Sequence, residues 1–153
     1  SKAMPLPDGP FLPDCVCATL RQSSRALTQL YDAALRPVGL TAMQFQLLLT
    51  LHKAGPVTVK ALAVALTIDQ TTLTRSLALL EKNKWIVAHP QPDRRLRAFA
   101  LSRSGTALLE RALPHWTRVQ QEVLRHLDSE TWAKTRAQFL DLIAFATADG
   151  GPH

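Results

Sequence analysis

Cysteine is scarce: Cys15 and Cys17 are the only two in 153 residues, and a C-x-C pair sits too close together to staple a fold. A disulfide-built secreted scaffold is therefore excluded, and a reducing cytoplasmic setting is expected. Long apolar runs are missing as well. None approaches the roughly 18 to 20 residues that span a bilayer, so no membrane span is expected. The opening SKAMPLPDGPFLPD lacks the charged-then-apolar pattern of a signal peptide, and its four prolines and one glycine predict an irregular arm over residues 1–13.

Catalytic and metal-binding signatures are absent too. The chain has no H-E-x-x-H, no phosphate-cradling glycine loop and no C-x-x-C set. On one helix, His115 and His126 would stand about 16 Å apart by helix rise, too far to share a metal. The carboxylates are too scattered for a general acid/base pair. Neither enzymatic activity, a metal nor a cofactor is expected.

Negative charge is in short supply. Twelve acidic residues face eighteen Lys and Arg, for a net charge of +6. The excess is concentrated: residues 57–103 hold eight of the cations and only Asp69, Glu81 and Asp93 against them, a net +5. A localised basic region favours a polyanionic partner such as nucleic acid or an acidic membrane surface. With 46% hydrophobic residues, the chain can build one sizeable core together with dimerising helices.

Periodicity predicts a mainly α fold. From Asp14 as N-cap, Leu20, Leu27, Leu30, Tyr31 and Leu35 recur at helical spacing until Pro37 and Gly39. Thr41-Ala42-Met43-Gln44 has the form of a capping box and opens a second helix through Phe45, Leu48, Leu49 and Leu51. A short third helix follows Thr58, and only Thr67 and Ile68 separate it from a new cap at Asp69. Helices joined this tightly cross steeply, the helix-turn-helix arrangement. A fourth helix covers about 70–82. Residues 85–88 and 98–101 read as strands around a loop rich in proline and charge, a small β-hairpin. Ser102 caps a long helix over about 104–126, with a kink expected at Pro114. Asp128 or Ser129 caps a last helix bearing Trp132, Phe139, Leu140, Leu142, Ile143 and Phe145, which stops at Gly150-Gly151-Pro152.

The fourth helix carries the functional signal. Leu73, Leu77 and Leu80 form an inward stripe, which leaves Gln70, Thr71, Thr74 and Arg75 on the other face, with Thr72 beside them. Each threonine costs several tenths of a kcal/mol relative to alanine in a helix. A helix that reads DNA supplies a reason for them: hydroxyls and amides reach phosphates and base edges in the major groove, and arginine takes a guanine edge bidentately. A solvated polar face is the plainer alternative.

The hairpin loop, HPQPDRRLR, offers a second contact. Arg95 is suited to a narrow minor groove because its guanidinium is flat, permanently charged and weakly hydrated. Asp93 would hold it, while Arg94 and Arg97 would flank it as phosphate contacts. Such a loop after a helix-turn-helix is a wing. A solvated charged turn is the alternative. Strand alternation also places Arg97 and Phe99 on one face, so one of them departs from simple inward-outward patterning.

Residues 62–105, with TTLTRSLALLEK, then PDRR, then LSRSG, resemble the winged helix-turn-helix of the MarR family (multiple antibiotic resistance regulators). Asp93 and Arg95 match its D-x-R wing; Leu101, Ser102 and Gly105 match its helix start, with serine in place of threonine. Thr67 and Lys84 stand where the family often has glycine, and Asn83, which tolerates a left-handed backbone, is expected to close the fourth helix. The resemblance implies a winged helix-turn-helix over 41–103 and N- and C-terminal dimerisation helices over 14–40 and 104–148. It implies a cytoplasmic homodimeric transcriptional regulator, a repressor on a pseudopalindromic double-stranded DNA operator, released by a small aromatic ligand.

Candidates for a ligand pocket are Tyr31, His52, His115 and Trp116, each of which would otherwise be packing. Some relatives sense peroxide through a cysteine near the start of the first helix, so Cys15 and Cys17 make a thiol-based repressor the alternative. The partial positive charge of a helix N-terminus favours thiolate there. A helical protein-interaction module that does not bind DNA is the reading from another class.

Overall fold

In the computed structural model, residues 14–148 are described. The arm expected over residues 1–13 and the stop expected at Gly150-Gly151-Pro152 lie outside them. The chain divides into two compact units, one ending at Trp116 and the other starting at Thr117.

Helix α1 (Val16–Leu35) begins one residue later than Asp14 predicts. The N-cap is Cys15, whose Sγ accepts from the Ala18 N–H at 3.5 Å. A capping side chain accepts from an amide two or three residues further on, and at the start of α1 it is Cys15 that does so. A 3-10 turn (Arg36–Val38) and Gly39, at φ 73, end the helix. Helix α2 (Ala42–Ala54) has both halves of the predicted box: Thr41 Oγ1 accepts from Gln44 N–H at 3.1 Å, and Gln44 Oε1 accepts from Thr41 N–H at 3.0 Å. Asp32 of α1 accepts from the Ala42 N–H at 2.6 Å, fastening α1 to the start of α2. Phe45, Leu47, Leu48 and Leu51 are all buried, so α2 is enclosed on several sides.

The hairpin is part of a larger sheet. Strand β1 (Val57–Thr58), which periodicity does not reveal, pairs antiparallel with β3 (Ala98–Leu101), and β3 pairs with β2 (Ile86–Ala88). The order is β1-β3-β2. Two-residue β1 leads directly into α3 (Val59–Leu66), where Thr58 caps the Ala61 N–H at 3.1 Å.

At the tight turn, Thr67 adopts φ 52 and its N–H turns back to α3 carbonyls. Asp69 then caps α4 (Gln70–Lys82). Asn83 closes α4 as its C-cap, as expected, but not in the left-handed conformation that made it a candidate: its backbone stays right-handed at φ −79. Lys84 takes the left-handed conformation instead, at φ 63, while the Asn83 side-chain amide donates to Leu79 O at 2.9 Å.

Leu73, Leu77 and Leu80 are essentially fully buried against residues of α2, α3 and the sheet. Burying a leucine contributes roughly 1.5 to 3 kcal/mol, which outweighs a few tenths per threonine. The inward stripe holds α4 in place and leaves its outer face free for other chemistry.

Helix α5 (Arg103–Leu127) continues past Pro114 as one element and contributes to both units. Its start is docked under the sheet. Ser102 Oγ accepts from the Gly105 N–H at 3.0 Å, and the hydroxyls of Ser102 and Ser104 each donate to Lys84 O at 2.7 Å. In the second unit, α6 (Ser129–Ala146) is capped by Asp128 and leaves Leu140, Leu142, Ile143 and Phe145 exposed.

Candidate nucleic-acid interface

The Asp69 cap and the leucine stripe together decide what α4 presents. Gln70, Thr71, Thr72 and Arg75 are exposed and Thr74 is half-buried. Thr72 differs from its neighbours: its N–H donates to Asp69 Oδ2 at 3.1 Å and its hydroxyl to the same oxygen at 3.4 Å. It serves the cap, which leaves Gln70, Thr71, Thr74 and Arg75 as the outward polar row.

In the wing, one carboxylate organises the loop. Asp93 Oδ1 accepts from the Arg95 backbone N–H at 3.0 Å and from its Nε at 3.1 Å, and Oδ2 accepts from Nη2 at 3.0 Å. This two-oxygen grip on a planar fork fixes the guanidinium's orientation as well as its charge. The Arg95 side chain is still 90% exposed, so it is held at one edge and open elsewhere. Hydrogen bonding from the Arg95 side chain, and secondarily from its backbone, lowers the Asp93 pKa from its ordinary value, and the carboxylate raises that of Arg95. Both groups are charged at neutral pH.

The arginines of the cluster do not share one place. Arg95 and Arg97 line a cleft of about 250 Å³ together with Thr58, Lys60, Gln70 and Thr74, so wing, α3 and α4 converge there. Arg94 lines a separate hollow of about 370 Å³ with His89, Gln91 and Phe99, and Arg97 borders this one too. The Arg97 guanidinium lies over the Phe99 ring, 5.4 Å from its centroid. The shared strand face thus holds an exposed cation on a buried ring.

Lys60 and Thr58 are site-lining residues that the sequence pattern does not single out. The available signal was the β-branched run Val57-Thr58-Val59, which places Lys60 in the first turn of the helix that follows.

A third cavity, of about 260 Å³, lies within the first unit and is lined by Tyr31, Leu35, Ala42, Phe45, Gln46, Leu49 and Trp116. Trp116 stacks on Phe45 with ring centroids 5.8 Å apart. Burial raises the Tyr31 phenol above its ordinary pKa. Tyr31 and Trp116 are therefore brought together, whereas His52 and His115 do not line this cavity. Cys15 and Cys17 are both exposed, and Cys17 Sγ accepts from Arg21 Nη2 at 3.4 Å. Among the described residues no group of three or more His, Cys, Asp or Glu could hold a metal, and no helix is long and apolar enough to cross a membrane.

Comparison with known proteins gives four concordant likenesses. The family model described as "MarR family" matches residues 38–96. An uncharacterized HTH-type transcriptional regulator of Bacillus subtilis, YwoH, is 27% identical over 124 residues, covering 79% of this chain and 90% of that protein. The crystal structure of the M. tuberculosis transcriptional regulator MosR in complex with DNA is similar with a TM-score of 0.77 and 34% identity, covering 84% of this chain and 93% of MosR. A mutant of E. coli MarR complexed with operator DNA has the same fold, at a TM-score of 0.75 and 24% identity over 84% of this chain and 92% of that one.

Proposed function

This chain belongs to the MarR family of DNA-binding, winged helix-turn-helix transcriptional regulators, and from that premise we propose that it is a homodimeric repressor reading a pseudopalindromic operator. The observation that carries the reading is the cleft where Gln70 and Thr74 of α4 face Arg95 and Arg97 of the wing. With α4 in the major groove, its outer row of Gln70, Thr71, Thr74 and Arg75 faces base edges, and Arg75 takes a guanine. Thr72 supports that row through the cap. Arg95, oriented by Asp93, enters the adjacent minor groove. Arg94, on the other hollow, meets a flanking phosphate.

Dimerisation is supported by apolar side chains that the single chain leaves in solvent. Val16, Leu27 and Leu30 of α1 and Leu140, Ile143 and Phe145 of α6 are exposed, Phe145 to 79%. Twofold pairing of such helices buries them and sets two copies of α4 about one DNA turn apart. The cavity beside Tyr31 and Trp116, with aromatic walls and the Gln46 amide, suits a small aromatic ligand whose binding releases DNA. The exposure of Cys15 and Cys17 supports a second reading, release by thiol oxidation. Peroxide-induced release that persists after Cys15→Ser with Cys17→Ser rules that reading out.

The experiment that tests the main reading is sequencing of the genomic fragments retained by the purified protein, followed by binding measurements on them. Arg95→Ala is expected to weaken operator binding severely with the fold intact. Arg75→Ala is expected to cost roughly 1 to 3 kcal/mol and to relax specificity at one base pair. Binding untouched by both substitutions would sink the model.

A further inference from the structure

The β1–β3 pairing places a helix and a wing strand side by side with a consequence for DNA contact. Thr58 pairs with Ala98, and the Val59 N–H donates to Arg97 O at 2.9 Å. The first turn of α3 is thereby tied to the rising strand of the wing, and Lys60 and Arg97 line the same cleft. Their charges are unspent. Arg95 has Asp93, but no carboxylate pairs with Lys60 or Arg97 among the described residues. No acidic residue lines the cleft, and Arg97 is steadied from behind by the Phe99 ring. Two unpaired cations bordering one cleft repel each other, and an anion between them relieves that repulsion.

What kind of anion follows from position. The cleft lies between the helix assigned above to the major groove and the arginine assigned to the minor groove. The part of a duplex that separates those grooves is a sugar-phosphate strand. We infer that Lys60 and Arg97 clamp this strand through its phosphates, and that β1 locks the wing to the helix pair so that both groove contacts keep a fixed spacing. This inference rests on the operator-binding reading and adds to it a sequence-independent grip contributed by α3, the first helix of the helix-turn-helix.

Phosphate contacts and base contacts leave different signatures. Each phosphate neutralised on B-DNA adds about 0.9 to the slope of log affinity against log salt. Duplex binding by the full chain is measured across a salt series by fluorescence anisotropy, on a retained genomic fragment and on an unrelated duplex. Lys60→Ala should flatten the slope by about 0.9 for each half-site occupied. It should weaken both duplexes by the same factor, leaving their ratio unchanged. Arg97→Ala should act in the same direction, and Lys60→Arg should restore the wild-type slope. Circular dichroism on each variant confirms the fold, since Lys60 and Arg97 are both exposed.

An unchanged slope for Lys60→Ala, alongside steep salt dependence in the wild type, overturns the clamp and leaves operator binding standing. Loss confined to the genomic fragment also overturns it, because that is base reading. If the wild type itself binds no duplex, operator binding and clamp fall together, and the wild-type measurement alone identifies that outcome.

Discussion

Gly105→Ala sets two physical effects against each other. By helix propensity alone the change stabilises, since alanine is favoured over glycine by about 1 kcal/mol in a helix interior and by less at Gly105, in the first turn of α5. The docking of α5 predicts the opposite. A Cβ on Gly105 would run into the Trp85 carbonyl oxygen and lie 2.9 Å from both the Trp85 carbonyl carbon and Leu101 Cδ1. Carbon atoms pack at about 3.5 to 4.0 Å, so the intruding methyl needs well over half an ångström of room from backbone. Neither side can yield freely. Trp85 O accepts from the Ser102 N–H at 3.0 Å, and the preceding carbonyl, Lys84 O, takes both serine hydroxyls. Overpacking of this kind costs about 1 to 3 kcal/mol, and each hydrogen bond lost as the helix backs away adds about 1. A net destabilisation of roughly 2 to 4 kcal/mol follows, which lowers the melting temperature by on the order of 10 °C in a chain of this size. Thermal and urea unfolding, followed by circular dichroism at matched protein concentration, measures it. Ser104→Ala, which removes one hydroxyl bond, should cost only about 1 kcal/mol. A Gly105→Ala protein as stable as the wild type, or more so, would refute the close docking of α5 under the sheet.

Two of the three described non-glycine residues with positive φ make a complementary prediction. Thr67 and Lys84 hold φ 52 and φ 63 with a Cβ present, a conformation costing about 1 to 2 kcal/mol for an L-residue. Glycine relieves that strain but adds freedom to the unfolded chain, so Thr67→Gly and Lys84→Gly should each stabilise by about 0.5 to 1 kcal/mol in urea titrations. A loss of stability would show that neither backbone is strained. Asp93→Asn separates charge from orientation in the wing. It removes a negative charge beside the DNA, which by itself strengthens binding, but it also removes the second oxygen that grips Arg95. Operator affinity should fall several-fold, and a rise would mean that orientation is unimportant. Because the Asp93 pKa is lowered, its pairing with Arg95 is complete above the ordinary carboxylate range. It is lost only as pH falls through the lowered pKa. The difference in operator affinity between wild type and Asp93→Asn should therefore stay constant across neutral pH and vanish only in acid.

Local chemistry made much of this protein legible from residues alone. The Thr41–Gln44 box, the Asp69 cap and the Leu73-Leu77-Leu80 stripe depend on neighbours within two helical turns. The same holds for the Asp93 grip on Arg95, two residues apart. The sequence by itself therefore determined the α-helical frame, the outward row on α4 and the pairing inside the wing. Tertiary structure decided what depends on distant partners. Val57 and Thr58 are a strand only because Phe99 and Ala98 lie beside them, and that pairing brings Lys60 to Arg97. It separated Arg94 from Arg95 into different hollows and Tyr31 and Trp116 from His52 and His115. It also imposed left-handed backbones on Thr67 and Lys84, where local preference points to glycine. Burial of the α3 and α4 leucines is worth several kcal/mol, more than the strain of the turns that permit it, so the core overrules the local preference there.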